Sequence, residues 1–153
     1  MRHSLAAAVV LLSMQIALAQ KPRDLAKVNA CAVLTTADVE GAAKGKQQTS
    51  QVGGGTGGVH CGYFLQLPNK TVEQYDFYLS DPTIVVELWK ALPDTKGKPI
   101  AGLGDEAYVR PSPGTPSQLS LTAVRRGDVA FEIQGPREDV LIALAKIAVA
   151  RLK

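Results

Sequence analysis

The sequence is short of reactive side chains. Its 153 residues include two Cys, two Met, two His and one Trp, and aromatic residues make up 5%. Met1, Met14 and His3 all fall within residues 1–19, so the rest of the chain has no Met, one His (His60) and two Cys (Cys31 and Cys61). That poverty argues against transition-metal chemistry and cysteine catalysis. Charge of one sign is also scarce. The formal net charge is +3, one less without Arg2, and the Lys and Arg residues are scattered. This balance gives no footprint for nucleic acid or an anionic membrane. Long apolar runs are missing after the first twenty residues, so no membrane span is expected in the mature chain.

The start of the chain reads as a secretory signal peptide. Arg2 and His3 make a short basic region, and Leu5–Leu12 is an unbroken apolar run. Ala17-Leu18-Ala19 presents small residues at both positions that a signal peptidase reads, with Gln20 first in the mature chain. Ser13 and Gln15 interrupt the run before it could span a bilayer. The expectation is a periplasmic or secreted protein: signal peptide 1–19, a mobile leader 20–30, and one α+β domain over 31–153.

In an oxidising compartment the default for Cys31 and Cys61 is a disulfide. A lipidated Cys31 is the alternative, because Val28-Asn29-Ala30-Cys31 superficially resembles a lipoprotein cleavage box. Asn29 fits that box poorly, and Lys21, Arg23, Asp24 and Lys27 separate the cysteine from the apolar run.

The remaining pattern alternates helix and strand signals. Thr35 is a plausible N-cap with Asp38 in capping-box position, and Gly45 supplies a stop. Lys46–Gly58 is polar and Gly-rich, read as a weak strand and then a flexible loop. Cys61–Leu67 and Thr71–Leu79 read as strands joined by Pro68-Asn69-Lys70. Tyr75, Phe77 and Leu79 alternate with Gln74, Asp76 and Tyr78. Asp81 caps a helix with Pro82 at its first position. Its Ile84, Val85, Leu88, Trp89 and Leu92 fall on one stripe. Glu106–Arg110 is a short strand, and Pro111–Ser117 a connection. Gln118–Val124 and Val129–Gln134 make a hairpin whose turn contains Gly127. Gly135-Pro136 opens a last helix, apolar on most faces, with Glu138 and Asp139 in its first turn and Arg151 in its last. The expected fold is α+β in the order αβββαβββα: an antiparallel sheet of about six strands with helices packed on one face.

Three stretches carry a resemblance: Cys31-Ala32-Val33-Leu34-Thr35-Thr36-Ala37-Asp38-Val39, Cys61-Gly62-Tyr63, and Gly102-Leu103-Gly104-Asp105-Glu106-Ala107. The pattern resembles small exported bacterial domains of unknown function, related to actinobacterial lipoproteins and to extracellular sensor domains of kinases. The resemblance implies a Cys31–Cys61 disulfide and an α+β sandwich. It brings no catalytic residues, and without a lipid-anchor cysteine it brings no membrane attachment.

Individual candidates have simple structural readings. Gly53–Gly58 has dinucleotide-like glycine spacing, but lacks the preceding strand and following helix that the mechanism needs. His60 reads as a surface or loop-edge histidine, since both cysteines are spoken for and no Met is left to join it as a ligand. Arg126-Gly127-Asp128 spells an adhesion tripeptide in a place where a tight turn wants such residues. Asp94, Asp105 and Glu106 match no calcium-loop spacing. No metal or cofactor is expected.

The remaining candidate is the outward set of the second strand: Tyr78, with Asp76 and Gln74. An exposed aromatic on an open sheet face is a platform for a ligand. The expected function is a non-catalytic binding or interaction module of the bacterial envelope. Its partner would be an unknown envelope protein or small molecule, and not nucleic acid. The alternatives are a small hydrolase-like periplasmic enzyme, built on carboxylates or His60, and a structural envelope protein.

Overall fold

The computed structural model describes residues 23–49, 59–113, 115–125 and 127–152. The stretch read as a signal peptide, the stretch Gly53–Gly58 and Arg126 lie outside the described residues. Seven strands form one antiparallel sheet: β1 (Lys46–Thr49), β2 (His60–Gln66), β3 (Val72–Ser80), β4 (Lys98–Pro99), β5 (Glu106–Ser112), β6 (Thr115–Arg125) and β7 (Val129–Gly135). Their spatial order is β1-β2-β3-β7-β6-β5-β4. Two meanders thus meet where β3 pairs with β7. The helices are α1 (Ala30–Val33), α2 (Thr36–Ala43), α3 (Pro82–Ala91) and α4 (Glu138–Arg151).

The class is α+β, as expected, but the element order is longer than αβββαβββα. The additions are α1 and β4. A four-residue helix and a two-residue strand are too short to leave a periodic signature. Pro99 suits β4, because an edge strand tolerates a missing N–H. The Pro111–Ser117 connection is also mostly strand. β5 runs on to Ser112 and β6 begins at Thr115, with a register irregularity between Pro111 and Ser112. In the stretch read as a leader, Leu25–Lys27 form a 3-10 turn, and Arg23 Nε donates to Asp128 Oδ1 at 2.9 Å.

Strand alternation builds the main core on one face of the sheet. Cys61, Tyr63 and Leu65 of β2, Tyr75, Phe77 and Leu79 of β3, Leu121 and Ala123 of β6, and Phe131 and Ile133 of β7 are buried there. Val39, Leu141, Leu144, Ala145 and Ala148 cover them from α2 and α4. α2 starts at the capping box, where Thr35 and Asp38 exchange side-chain and backbone bonds. It ends on Lys44, which takes the left-handed conformation (φ 55°) in place of the expected Gly45. Cys31 and Cys61 lie at disulfide distance, Cα–Cα 5.2 Å, and staple α1 to β2. Gly102 and Gly104 both have positive φ, which turns the chain so that Leu103 enters the core. A Cβ at Gly104 would come within 2.6 Å of the Val124 carbonyl oxygen.

The helices do not all pack on one face. α3 lies against Val124 and Ala130, cross-strand partners whose side chains point away from the main core. Its Trp89 sits edge-on to Tyr108, ring centroids 4.9 Å apart. Lys96 Nζ stands 5.5 Å from the Trp89 ring and 5.1 Å from that of Tyr108. The expected apolar stripe is therefore split. Trp89 is buried, whereas Ile84, Leu88 and Leu92 are 68%, 44% and 52% exposed. The reason is geometric: a helix of ten residues on the end of a largely polar sheet face has only Val124, Ala130 and Tyr108 to cover, so one edge of its stripe finds no surface.

Candidate functional site

The face opposite the main core is organised in cross-strand rows. One row is His60, Tyr78, Glu132, Thr122 and Tyr108, read from β2 to β5. The next is Gly62, Asp76, Gln134, Ser120 and Arg110. The row on the other side, Ser80, Ala130, Val124 and Glu106, is where α3 packs. The sequence-predicted set Gln74, Asp76 and Tyr78 thus stands on this face, next to residues from three other strands.

Asp76 is the centre of the β3 side. Its Oδ1 lies 3.0 Å from His60 Nε2, and its Oδ2 accepts from Gln74 Nε2 at 2.7 Å. A carboxylate only accepts, so the imidazole proton facing it is on Nε2. The β7 side has a matching arrangement. Glu132 Oε1 accepts from Gln134 Nε2 at 2.7 Å and from Ser120 Oγ at 2.7 Å. Both amide–carboxylate pairs are two residues apart on one strand, the spacing that puts side chains on the same face. Because β3 and β7 are antiparallel and in register, the two pairs meet head to tail.

Tyr78 stands between them. The His60 ring stacks on it in parallel, centroids 4.3 Å apart and planes 6° apart. Burial pushes the Tyr78 hydroxyl's pKa above the ordinary phenol range, and the negative charges of Asp76 and Glu132 add to that. The hydroxyl is therefore a held proton at neutral pH, a hydrogen-bond donor and not a nucleophile.

Two sequence expectations change here. Asp76 points to the face it was expected to occupy, yet it is only 7% exposed, because His60 and Gln74 close over it. His60 opens β2, at the edge as expected, but it is half-buried, stacked and hydrogen-bonded. Glu132, Gln134 and Ser120 join the site although sequence reasoning did not select them. Their signal was the polar phase of the β6–β7 hairpin, the complement of Leu121, Phe131 and Ile133.

Other candidates fall apart in space or elsewhere. Glu106 is 3.5 Å from Lys96 and accepts from the Tyr108 hydroxyl at 3.2 Å, while Asp94 lies in the 3-10 turn Pro93–Thr95. No group of three His, Cys, Asp or Glu among the described residues is arranged to hold a metal ion. A groove of about 770 Å³ lies away from this face, between α2, β1 and the β2–β3 turn. It is wide open to solvent and lined by Lys44, Lys46, Lys70, Gln66 and Pro68.

No protein-family model, curated protein or solved structure matches the chain significantly. The class is thus defined by the fold alone: a seven-stranded antiparallel α+β protein with one face sealed by helices and the other largely polar.

Proposed function

We propose that the protein is an exported, non-catalytic binding module of the bacterial cell envelope, and that Tyr78, Asp76 and Gln74 belong to its ligand face. The observation that carries this reading is the pair of hydrogen-bonded clusters, His60–Asp76–Gln74 with the stacked Tyr78 and Ser120–Glu132–Gln134, side by side on a sheet face that α3 covers only at one end. Prearranged polar groups beside a flat aromatic pair are what a small-molecule site uses to fix orientation. Export is supported by the signal-peptide pattern of residues 1–19 and by the paired cysteines. The resemblance to small exported bacterial domains points the same way.

The His60–Asp76 pair favours one rival, a small hydrolase with an oriented imidazole. The neighbouring hydroxyls suit that rival poorly. Ser120 is 0% exposed and its hydroxyl is donated to Glu132, and Tyr78 holds its proton tightly.

Ligand-observed NMR with small-molecule mixtures tests the proposal, comparing wild type with Tyr78→Ala. Ligands that bind the wild type and are lost in the variant support it. Ligands that bind both equally move the function to another surface. Turnover of a mixture component, abolished in His60→Ala, selects the hydrolase.

A further inference from the structure

Most sheltered carboxylates of this protein have an Arg or Lys partner. Arg151 holds Asp38, Arg137 holds Glu73, Arg23 holds Asp128 and Lys96 stands by Glu106. Asp76 is the least exposed of the ion-paired acids, at 10% for its side chain, and it has only a histidine. Among the described residues, Glu132 has no Arg or Lys within ion-pair distance, and its Oε2 receives no hydrogen bond. The cation of the adjacent row, Arg110, is on β5, two strands from β7 and three from β3, about 10 and 14 Å at the backbone. Among the described residues, the buried Asp76 and the half-buried Glu132 thus flank Tyr78 with no Arg or Lys within ion-pair distance of either.

The ring stack adds direction. His60 is across from Tyr78 on the β2 side and covers one ring face. Glu132 is across from Tyr78 on the β7 side. The ring face turned away from His60 therefore looks toward the β7 side, where Glu132 stands, with Asp76 diagonal to it. A ring face attracts cations through its quadrupole, and a carboxylate in a half-buried setting attracts them more strongly than in water.

Given a binding role for this face, as proposed above, we infer that its ligand is an organic cation: a protonated amine or guanidinium seated between the Tyr78 ring and Glu132. The amides of Gln74 and Gln134 and the Ser120 hydroxyl orient the two carboxylates and leave Glu132 Oε2 for the ligand. The Tyr78 hydroxyl is a second polar contact.

The test uses the disulfide-bonded mature chain, labelled for amide NMR, and two probes: agmatine, which carries a guanidinium and an amine, and xylose, which is neutral. Agmatine should shift amides of β3 and β7 saturably, and xylose should not. Glu132→Gln keeps the shape and the Ser120 bond, and should weaken agmatine binding about tenfold. Tyr78→Leu should weaken it about fivefold. Glu87→Gln, on α3 beside Lys90, should change nothing. If xylose saturates this face and agmatine does not, the cation class is overturned while the binding reading stands. If agmatine moves no residue of β3 or β7, or binds Glu132→Gln and Tyr78→Leu as tightly as wild type, the inference is wrong. The binding reading is then judged separately by the mixture screen.

Discussion

On β3, Tyr75, Phe77 and Leu79 lie in a core sealed by α1, α2 and α4. One residue out of phase, Gln74, Asp76 and Tyr78 stand on a face that α3 covers only at its end. The same strand supplies both surfaces, yet they are held together by different physics. The apolar face excludes water and gains roughly 25 cal/mol per Å² buried, with no direction required. The polar face gains little net free energy from its hydrogen bonds, about 1 kcal/mol each, but they fix side-chain positions. The two long helices show the same division. α4 places Val140, Leu141, Leu144, Ala145 and Ala148 in the main core, whereas α3 buries little beyond Trp89 and Pro82. The contrast teaches that stability is concentrated on one side of this sheet, so the other side is free to specialise.

The largest effect expected from that contrast is at Phe77. It is fully buried, 5.8 Å from the Phe131 ring, and Phe77→Ala should cost about 3–5 kcal/mol. Chemical denaturation measures this. A loss below that of Tyr78→Ala would reverse the assignment of the two faces. Gly135→Ala comes next. Its new Cβ would approach within 2.6 Å of Tyr75 Cε1 and 3.2 Å of a Leu141 methyl. The Tyr75 ring cannot easily yield, since its hydroxyl donates to Glu73 at 2.7 Å and Arg137 Nε stands 3.3 Å away. Overpacking there should cost about 2 kcal/mol in the same denaturation experiment.

A smaller effect, about 1 kcal/mol, concerns the rim of the sealed side. Asp38 joins the start of α2 to the end of α4 through Arg151, whose Nη2 donates to Asp38 Oδ1 at 2.8 Å. This bond, with help from Thr35 and against some desolvation, lowers the Asp38 pKa from 3.8 to about 2. A lowered carboxylate pKa stabilises the fold above the unfolded value, near 4, and that contribution disappears as pH falls through about 2. Solvent screening reduces it to about 1 kcal/mol. Asp38→Asn should thus be less stable than wild type at pH 6, and the two should converge near pH 2. A gap that persists in acid would show that the cap, not the charge, is what counts.

Effects of similar size, far below that at Phe77, belong to the polar face. Tyr78→Ala removes a half-exposed ring and its stack on His60, at a cost below about 1.5 kcal/mol, and should leave a cooperative thermal transition. His60→Ala should cost about 1 kcal/mol, through the Asp76 bond and the stack. Unfolding of either variant at room temperature would make this face part of the core and abolish the distinction between the two sides.

The legible parts of the molecule are those written in local order. The phase of β3, the Thr35–Asp38 capping box, the Asp81-Pro82 helix start and the turn at Gly127 depend on residues a few positions apart, so the sequence alone determines them. Composition likewise sets the poverty in Met, His and Cys. The candidate site was half legible. Gln74, Asp76 and Tyr78 follow from alternation, but His60, Ser120, Glu132 and Gln134 reach them only because β3 pairs with β2 on one side and with β7 on the other. The β3–β7 register joins residues fifty or more positions apart, and nothing near either strand encodes it. The placement of α3 is the same kind of fact. Its sequence shows an apolar stripe, but which sheet face meets that stripe depends on how the chain crosses from β3 to the far meander. Tertiary structure decided both, because sheet order is fixed by burying all the strands together, while each strand's pattern specifies only which of its two sides is buried.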